Sequence, residues 1–332
     1  MCINLQQFVI NIIFVLILTK ILSLLILFFI LNGIIFSVET SQTIDRFILM
    51  NTEEKWYFMK TKRNEKESIL WQLPIIGSFK SMSYCIKTGD DQHFVIDGGD
   101  APETEYLVDF INENLDGRVD AWFVTHPHRS HVGAFINILS RELVAVKKII
   151  YSYHDPEVVV KHDRKNVAEI ENFNNAIKAS KITSLRVRNG DRLKIGKNII
   201  KIISADNLES DRNYLNNTGL IYKFNFKTAS VLFLGDAGIE ASVALLSSFK
   251  DELKCDILQM SHHGYYGVSN ELYNIISPDI CLWPTRKEIW PDSSNILTSE
   301  SQDIKNTYDY MCSLGVSEHY VSGIDGLSEI HF

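Results

Sequence analysis

Apolar and polar positions along this chain follow two periods. Ile69 to Ile76, Ser81 to Lys87 and His93 to Ile96 are short strand-like runs, with a turn at Thr88-Gly89-Asp90-Asp91. Glu103 to Leu115 changes period: Tyr106, Leu107, Phe110, Ile111 and Leu115 fall on one helical face. Ala121 to Val124 is apolar throughout and predicts a buried strand. Val132 to Leu143 reads as a helix, Lys148 to Tyr151 as a strand, and Asn166 to Ser180 as a helix with Val167, Ile170, Phe173 and Ile177 inward. Strands then dominate, at Leu185 to Val187, Ile199 to Ser204, Leu220 to Phe226, Val231 to Leu234, Ile257 to Met260, His319 to Ser322 and Leu327 to Phe332. Helices are expected at Ile239 to Phe249 and Ile304 to Leu314. Two strand-rich halves, each flanked by helices, predict an α/β fold: a four-layer α/β/β/α sandwich.

The N-terminus differs. From Cys2 to Val38 the sole charged side chain is Lys20, and Ile21 to Phe36 is almost wholly apolar. Such a run either spans a bilayer or is a secretory signal. Both readings export the rest of the chain, as a membrane-anchored extracytoplasmic domain or a secreted one. The expected organisation is an anchor or signal over 1–38, a polar linker over 39–66 with a strand-like piece at Phe47 to Met50, and one domain over 67–332.

The net charge of −8 argues against a nonspecific nucleic-acid coat, although a local basic groove stays open. The five cysteines (Cys2, Cys85, Cys255, Cys281, Cys312) have no paired spacing, so neither a disulfide framework nor a zinc ribbon is expected.

The chemistry concentrates in T-H-P-H-R-S-H, Thr125 to His131, directly after a predicted strand. His126 and His128 alternate on an extended segment, so both imidazoles can face one point with Pro127 turned away. His131 begins the next helix and can reach a second point. Neutral imidazoles suit zinc and similar borderline ions. Asp236 ends an apolar strand after Gly235, where a carboxylate can bridge two ions or simply cap a helix. His262 and His263 follow the strand at Ile257 to Met260, and one should close the metal site. His262, nearer the strand end, is favoured, and Gly264 would allow close backbone approach to a ligand. His154 is a candidate for a further ligand. His162 reads as a surface helix residue, and His93, His319 and His331 as structural. Gly133 fits close helix approach to the metal loop.

Five motifs in order resemble the metallo-β-lactamase superfamily, whose signature is H-x-H-x-D-H. More narrowly, they resemble the extracytoplasmic domain of competence-type DNA-uptake proteins and their stand-alone relatives. The motifs are F-V-I-D-G-G-D from Phe94, T-H-P-H-R-S-H from Thr125, N-N-T-G-L-I-Y-K-F from Asn216, V-L-F-L-G-D-A-G-I-E from Val231 and D-I-L-Q-M-S-H-H-G from Asp256. The likeness covers roughly residues 67 to 332. It implies a metal-dependent hydrolase with ligands His126, His128, His131, Asp236 and His262, and with Asp236, His262 and His263 at the chemistry. It also implies that Asp97 orients the histidine loop through hydrogen bonds. Phosphodiesters, whether nucleic acid or a surface phosphoester, are the implied substrates, and the S-H-H-G segment argues against β-lactams. Ser130 departs from the signature, standing where the family has the aspartate that binds the second metal. One tight ion per chain is therefore expected, zinc first and manganese second. The alternative is a catalytically weakened surface-binding or DNA-uptake accessory domain. No protein partner can be inferred.

Overall fold

A strand can be apolar at every position only if both its faces are covered. The strands β1 (Ile69–Gln72), β2 (Ser83–Lys87), β3 (His93–Asp97), β4 (Arg118–Val119), β5 (Ala121–Val124), β6 (Ala145–Val146), β7 (Lys148–Tyr151) and β8 (Thr183–Arg186) come from the first half of the domain. The second half supplies β9 (Arg192–Ile195), β10 (Asn198–Ser204), β11 (Ile221–Asn225), β12 (Ser230–Phe233), β13 (Ile257–Gln259), β14 (Ile280–Trp283), β15 (Glu318–Val321) and β16 (Ser328–His331). The computed structural model describes residues 67–77, 80–205, 212–291 and 298–332. The expected N-terminal anchor or signal, the linker and the piece at Phe47 to Met50 lie outside the described residues. Among the described residues, no helix is long and apolar enough to cross a membrane.

Two seven-stranded sheets form, in the orders β16-β1-β2-β3-β5-β7-β8 and β15-β14-β13-β12-β11-β10-β9. Their facing sides share one core, in which Phe94, Ile96 and Phe123 meet Tyr222, Phe224 and Phe233. The other faces are covered by helices. Trp122 and Val124 pack with Phe110 of α1 (Thr104–Asn114), Phe135 of α2 (Arg129–Arg141) and Phe173 of a helix at Val167–Ser180. Leu232, Leu258 and Cys281 pack with Leu245, Leu272, Ile304 and Met311, which lie on helices Ile239–Ser248, Asn270–Ile276 and Ser299–Ser313. Along β5, residues alternate between these cores: Ala121 and Phe123 face the other sheet, Trp122 and Val124 the helices. The result is the expected four-layer α/β/β/α sandwich.

Several element bounds differ from the sequence reading. The last long helix starts at Ser299, not Ile304, because Thr298 caps it by accepting from the Ser301 amide (3.1 Å). That polar first turn carries no apolar period. Four strands were not expected, among them the two-residue β4 and β6, which pair with each other. β9 is an edge strand of mostly polar residues, and β14 is a short apolar run bracketed by Pro278 and Pro284.

Strands β3, β5, β7 and β8 run parallel to one another, and so do β12, β13, β14 and β15. Parallel strands end on one side of a sheet, where loops gather polar groups. The histidine loop leaves the end of β5, Asp236 follows β12, and Ser261–Gly264 follows β13.

Candidate metal centre

Asp97 ends β3 in a left-handed conformation (φ 51°) and turns its carboxylate under the histidine loop. It accepts from the Thr125 amide, the Thr125 hydroxyl and His131 Nδ1, each at 2.7 Å. This fixes both ends of the loop. α2 begins just after His128, whose carbonyl accepts from the His131 amide (2.9 Å). Gly133 lets α2 press onto the chain at Asp100. A Cβ there would collide with the Ala101 amide nitrogen and lie 2.8 Å from the Asp100 carbonyl carbon. With the loop held, His126 Nε2 and His128 Nδ1 lie 3.0 Å apart.

Asp236 is brought in from the other sheet. Gln259 clamps the end of β12, with its Oε1 accepting from the Leu234 and Gly235 amides (2.8 and 2.7 Å). Gly235 takes φ 56° and packs against Thr125, where a Cβ would stand 3.0 Å from the Thr125 Cβ. The next turn is unusual. His262, His263 and Gly264 are successive left-handed residues (φ 51°, 58° and 90°), a conformation costly for side-chain-bearing residues. The turn is held by the His262 amide donating to Gly235 O (3.0 Å) and the Thr285 hydroxyl donating to His263 O (2.6 Å). His263 Nδ1 donates to Pro284 O (2.8 Å), which leaves its Nε2 a lone pair directed inward.

The donors fall into two groups sharing Asp236: His126, His128 and Asp236, and His131, Asp236 and His263, each with ligand atoms within 4.8 Å of one another. Asp236 Oδ1 is 3.3 Å from His131 Nε2, and Asp236 Oδ2 is 3.7 Å from His126 Nε2 and 3.6 Å from His263 Nε2. Metal–ligand bonds of about 2.0–2.1 Å put neighbouring donors of a tetrahedral site roughly 3.3 Å apart. These spacings are close to that. His131 Nε2, His263 Nε2 and Asp236 Oδ1 are also buried without a hydrogen bond. Buried polar atoms are rarely left so, and a cation between them would satisfy all three. The residues present thus fit a divalent ion, and the nitrogen and oxygen donor set suits zinc, iron or manganese.

Electrostatics agree. Burial, reinforced by neighbouring histidines, holds His126 far below the usual histidine range, His128 at about 4 and His263 at about 3, so all three are neutral at pH 7. His131 is the exception: burial pushes it down, but Asp236 and Asp97 outweigh that and raise it to about 10. Burial pushes Asp236 up, yet His131, His263 and His126 hold it well below the ordinary carboxylate range. Burial raises Asp97, with His131 and Thr125 opposing.

The structure thus brings His126, His128, His131, Asp236 and His263 together over Asp97. The expectation that His262 closes the cluster is corrected. The left-handed turn carries His263 inward and leaves His262 on the open side, its Nε2 3.9 Å from Asp236 Oδ2 and its side chain 15% exposed. Gly264 approaches the Trp283 ring, 2.7 Å from where its Cβ would stand. His154 is buried but lies outside both groups, its Nε2 bonded to the Thr218 hydroxyl (2.9 Å). Asp100, one carboxylate able to replace the missing aspartate, is instead held by Arg129 at 2.8 and 2.9 Å. Ser130 lines a cleft of about 350 Å³ beside His128, with Lys80, Arg129, Asn166 and Arg286. His162 ends a short helix, exposed and stacked on Tyr214. Sequence reasoning missed Lys80, Asn166 and Arg286, which carry no motif, and Gln259, whose role as a clamp on β12 is not visible from its place inside a strand. Asn166 Nδ2 lies 3.0 Å from His128 Nε2 and helps set that ring.

No protein-family model and no curated protein matches the sequence. Solved structures do. The metallo-β-lactamase fold protein YhfI from Bacillus subtilis aligns with TM-score 0.50 and 13% identity, over 80% of this chain and 100% of that one. CmlA, a diiron β-hydroxylase from Streptomyces venezuelae, aligns with TM-score 0.51 and 12% identity, over 80% of this chain and 54% of that one. At such identities the likeness is one of fold. Two packed seven-stranded sheets, with histidine turns from both converging on Asp236, give this chain the metallo-β-lactamase fold.

Proposed function

We propose that this chain is a metal-dependent hydrolase of anionic phosphoesters, phosphodiesters first. The cleft beside His128 carries the substrate reading. In a chain of net charge −8, the cations Lys80, Arg129 and Arg286 all line it. Asp100 and Glu169 also line it; Arg129 pairs with Asp100, so Lys80 and Arg286 supply the positive charge in excess of Glu169. Lys and Arg donate charge-assisted hydrogen bonds to phosphoryl oxygens, an advantage a neutral ester would not use. Lys80 stands 4.4 Å over the Tyr265 ring, and its charge interacts with Asp236, so it lies between cleft and cluster.

A divalent ion in such a site lowers the pKa of water and polarises a phosphoryl oxygen. The chain's part is to hold the donors and move protons. Asp97 fixes His131, and Pro284 O fixes the tautomer of His263. His262, held below the usual histidine range by burial, is a neutral imidazole on the open side, placed to accept a proton. Asp236 is the one carboxylate common to both donor groups, and Ser130 adds no charge. With that one shared carboxylate, these residues would hold one divalent ion tightly and a second more weakly, zinc preferred and manganese next.

The apolar N-terminus supports export of the domain. Protease added to intact cells or spheroplasts should digest it, and full protection in both would refute export. Ser130, together with the engagement of His154 by Thr218, favours a second reading: a catalytically weakened surface-binding or DNA-uptake accessory domain. The deciding experiment strips the full-length chain with chelator, reloads zinc or manganese, and measures bis(p-nitrophenyl) phosphate turnover. Metal-dependent turnover with a raised KM in Lys80→Met supports the hydrolase. Tight metal binding without turnover of any phosphodiester supports the second reading, and absence of metal binding overturns both.

A further inference from the structure

His93 opens β3, at the other end of the strand from Asp97. Its side chain is 0% exposed, and neither ring nitrogen makes a hydrogen bond. A structural histidine normally satisfies at least one ring nitrogen when buried. Here Nε2 points at two carboxylates, 3.5 Å from Asp91 Oδ1 and 3.8 Å from Asp116 Oδ2. The three donors lie within 4.8 Å of one another. Asp91 belongs to the turn between β2 and β3, and Asp116 to the turn between α1 and β4. Both carboxylates are partly open to water (51% and 62% side-chain exposure), so solvent can complete a coordination shell.

We propose that Asp91, His93 and Asp116 form a second divalent-cation site, structural in role, which pins these two turns to the start of β3. One imidazole and two carboxylates suit zinc among the common ions. Burial, with Arg118 and Lys87 nearby, keeps His93 below the usual histidine range, so its lone pair is available at neutral pH. The neighbouring cations leave room for the ion. Arg118 is anchored on Asp120 (2.8 Å) and takes Asp91 Oδ2 (2.6 Å), leaving Oδ1 to face His93. Lys147 is engaged by Asp120 (2.5 Å). Lys87 is the direct competitor, with its Nζ 3.5 Å from the same Asp116 Oδ2 that faces His93. It is half-buried and also donates to Asn114 O (3.4 Å), and its displacement from Asp116 is the cost of binding.

The site is independent of the proposed hydrolase activity, and the test keeps the two apart. The full-length chain carrying His126→Ala and Asp236→Ala, which empties the main cluster, is stripped with chelator and titrated with cobalt(II), then zinc. One equivalent should bind, with a visible cobalt spectrum that zinc displaces, and zinc should raise Tm. Asp91→Asn and Asp116→Asn, at exposed positions where folding is safe, should each weaken binding at least about tenfold. Lys87→Gln should tighten it, which a purely structural role for these side chains would not produce. In the otherwise wild-type chain the two Asn variants should lower total bound zinc by one equivalent. Absence of a bound equivalent in the double variant, or an equivalent unchanged by Asp91→Asn and Asp116→Asn, overturns the proposal.

Discussion

Replacing Asp97 by Asn tests the cluster at its support. The wild-type carboxylate accepts three hydrogen bonds of 2.7 Å, one on Oδ1 from the Thr125 amide and two on Oδ2 from the Thr125 hydroxyl and His131 Nδ1. An amide of the same shape has one oxygen. If that oxygen keeps the Thr125 amide, the new NH2 faces His131 Nδ1, and His131 must move its proton to Nε2, the atom directed at Asp236. If the amide flips, NH2 meets the Thr125 N–H and the loop loses its anchor. Either way Nε2 loses its orientation as a donor. Loss of such a supporting partner costs about 10–100-fold in metal affinity, roughly 1.4–2.8 kcal/mol. The metal-free protein suffers separately, because charged His131 then keeps one buried counterion in place of two. Breaking a buried pair costs about 3–5 kcal/mol. The pH dependence has a definite sign. His131 is raised from 6.5 to about 10 in the folded metal-free state, so its contribution is full below 6.5 and fades as pH rises through about 10. The stability gap between wild type and Asp97→Asn should therefore narrow above neutrality, and metal affinity of the His131 group should rise with pH over the same window. Urea unfolding in chelator across pH, with metal competition against a chromophoric chelator, measures both. Unchanged metal affinity and unchanged stability in Asp97→Asn would refute the assignment.

Three further outcomes are expected. Gly133→Ala should destabilise by about 1–3 kcal/mol or more, because its Cβ would lie 2.8 Å from the Asp100 carbonyl carbon and α2 must back away; a wild-type urea midpoint would contradict that contact. His263→Ala should lose more bound metal than His262→Ala, whereas His262→Ala should lower turnover more than metal content; equal metal loss would show that both are ligands. Ser130→Asp should raise metal occupancy from about one ion toward two by adding an anionic donor beside the cluster. Two full-occupancy ions in the wild type would refute the one-tight-ion expectation and leave the fold untouched.

Much of this protein was legible along the chain because its strongest patterns are local. Ala121 to Val124 is apolar at every position because it lies between two cores, and that layering is the fold class. His126 and His128 could be paired from sequence since alternation on an extended segment aims both rings one way. Gly133 was legible as a point of close helix approach, but its neighbour is the chain at Asp100 and Ala101 and not the histidine loop. The choice between His262 and His263 was not legible. Both follow the same strand, and a left-handed turn locked by Pro284 and Thr285, residues of another loop, carried His263 inward. His154 follows a parallel strand, as the other donors do, yet a hydrogen bond to Thr218 from the opposite half holds it outside the donor groups. Lys80, Asn166 and Arg286 carry no periodic signal and become neighbours only when their separate segments meet at one cleft. Strand periodicity and motif spacing are properties of neighbours in sequence. Which donor points into the cluster depends on hydrogen bonds and steric contacts between loops far apart in the chain, and those exist only once the two sheets have packed.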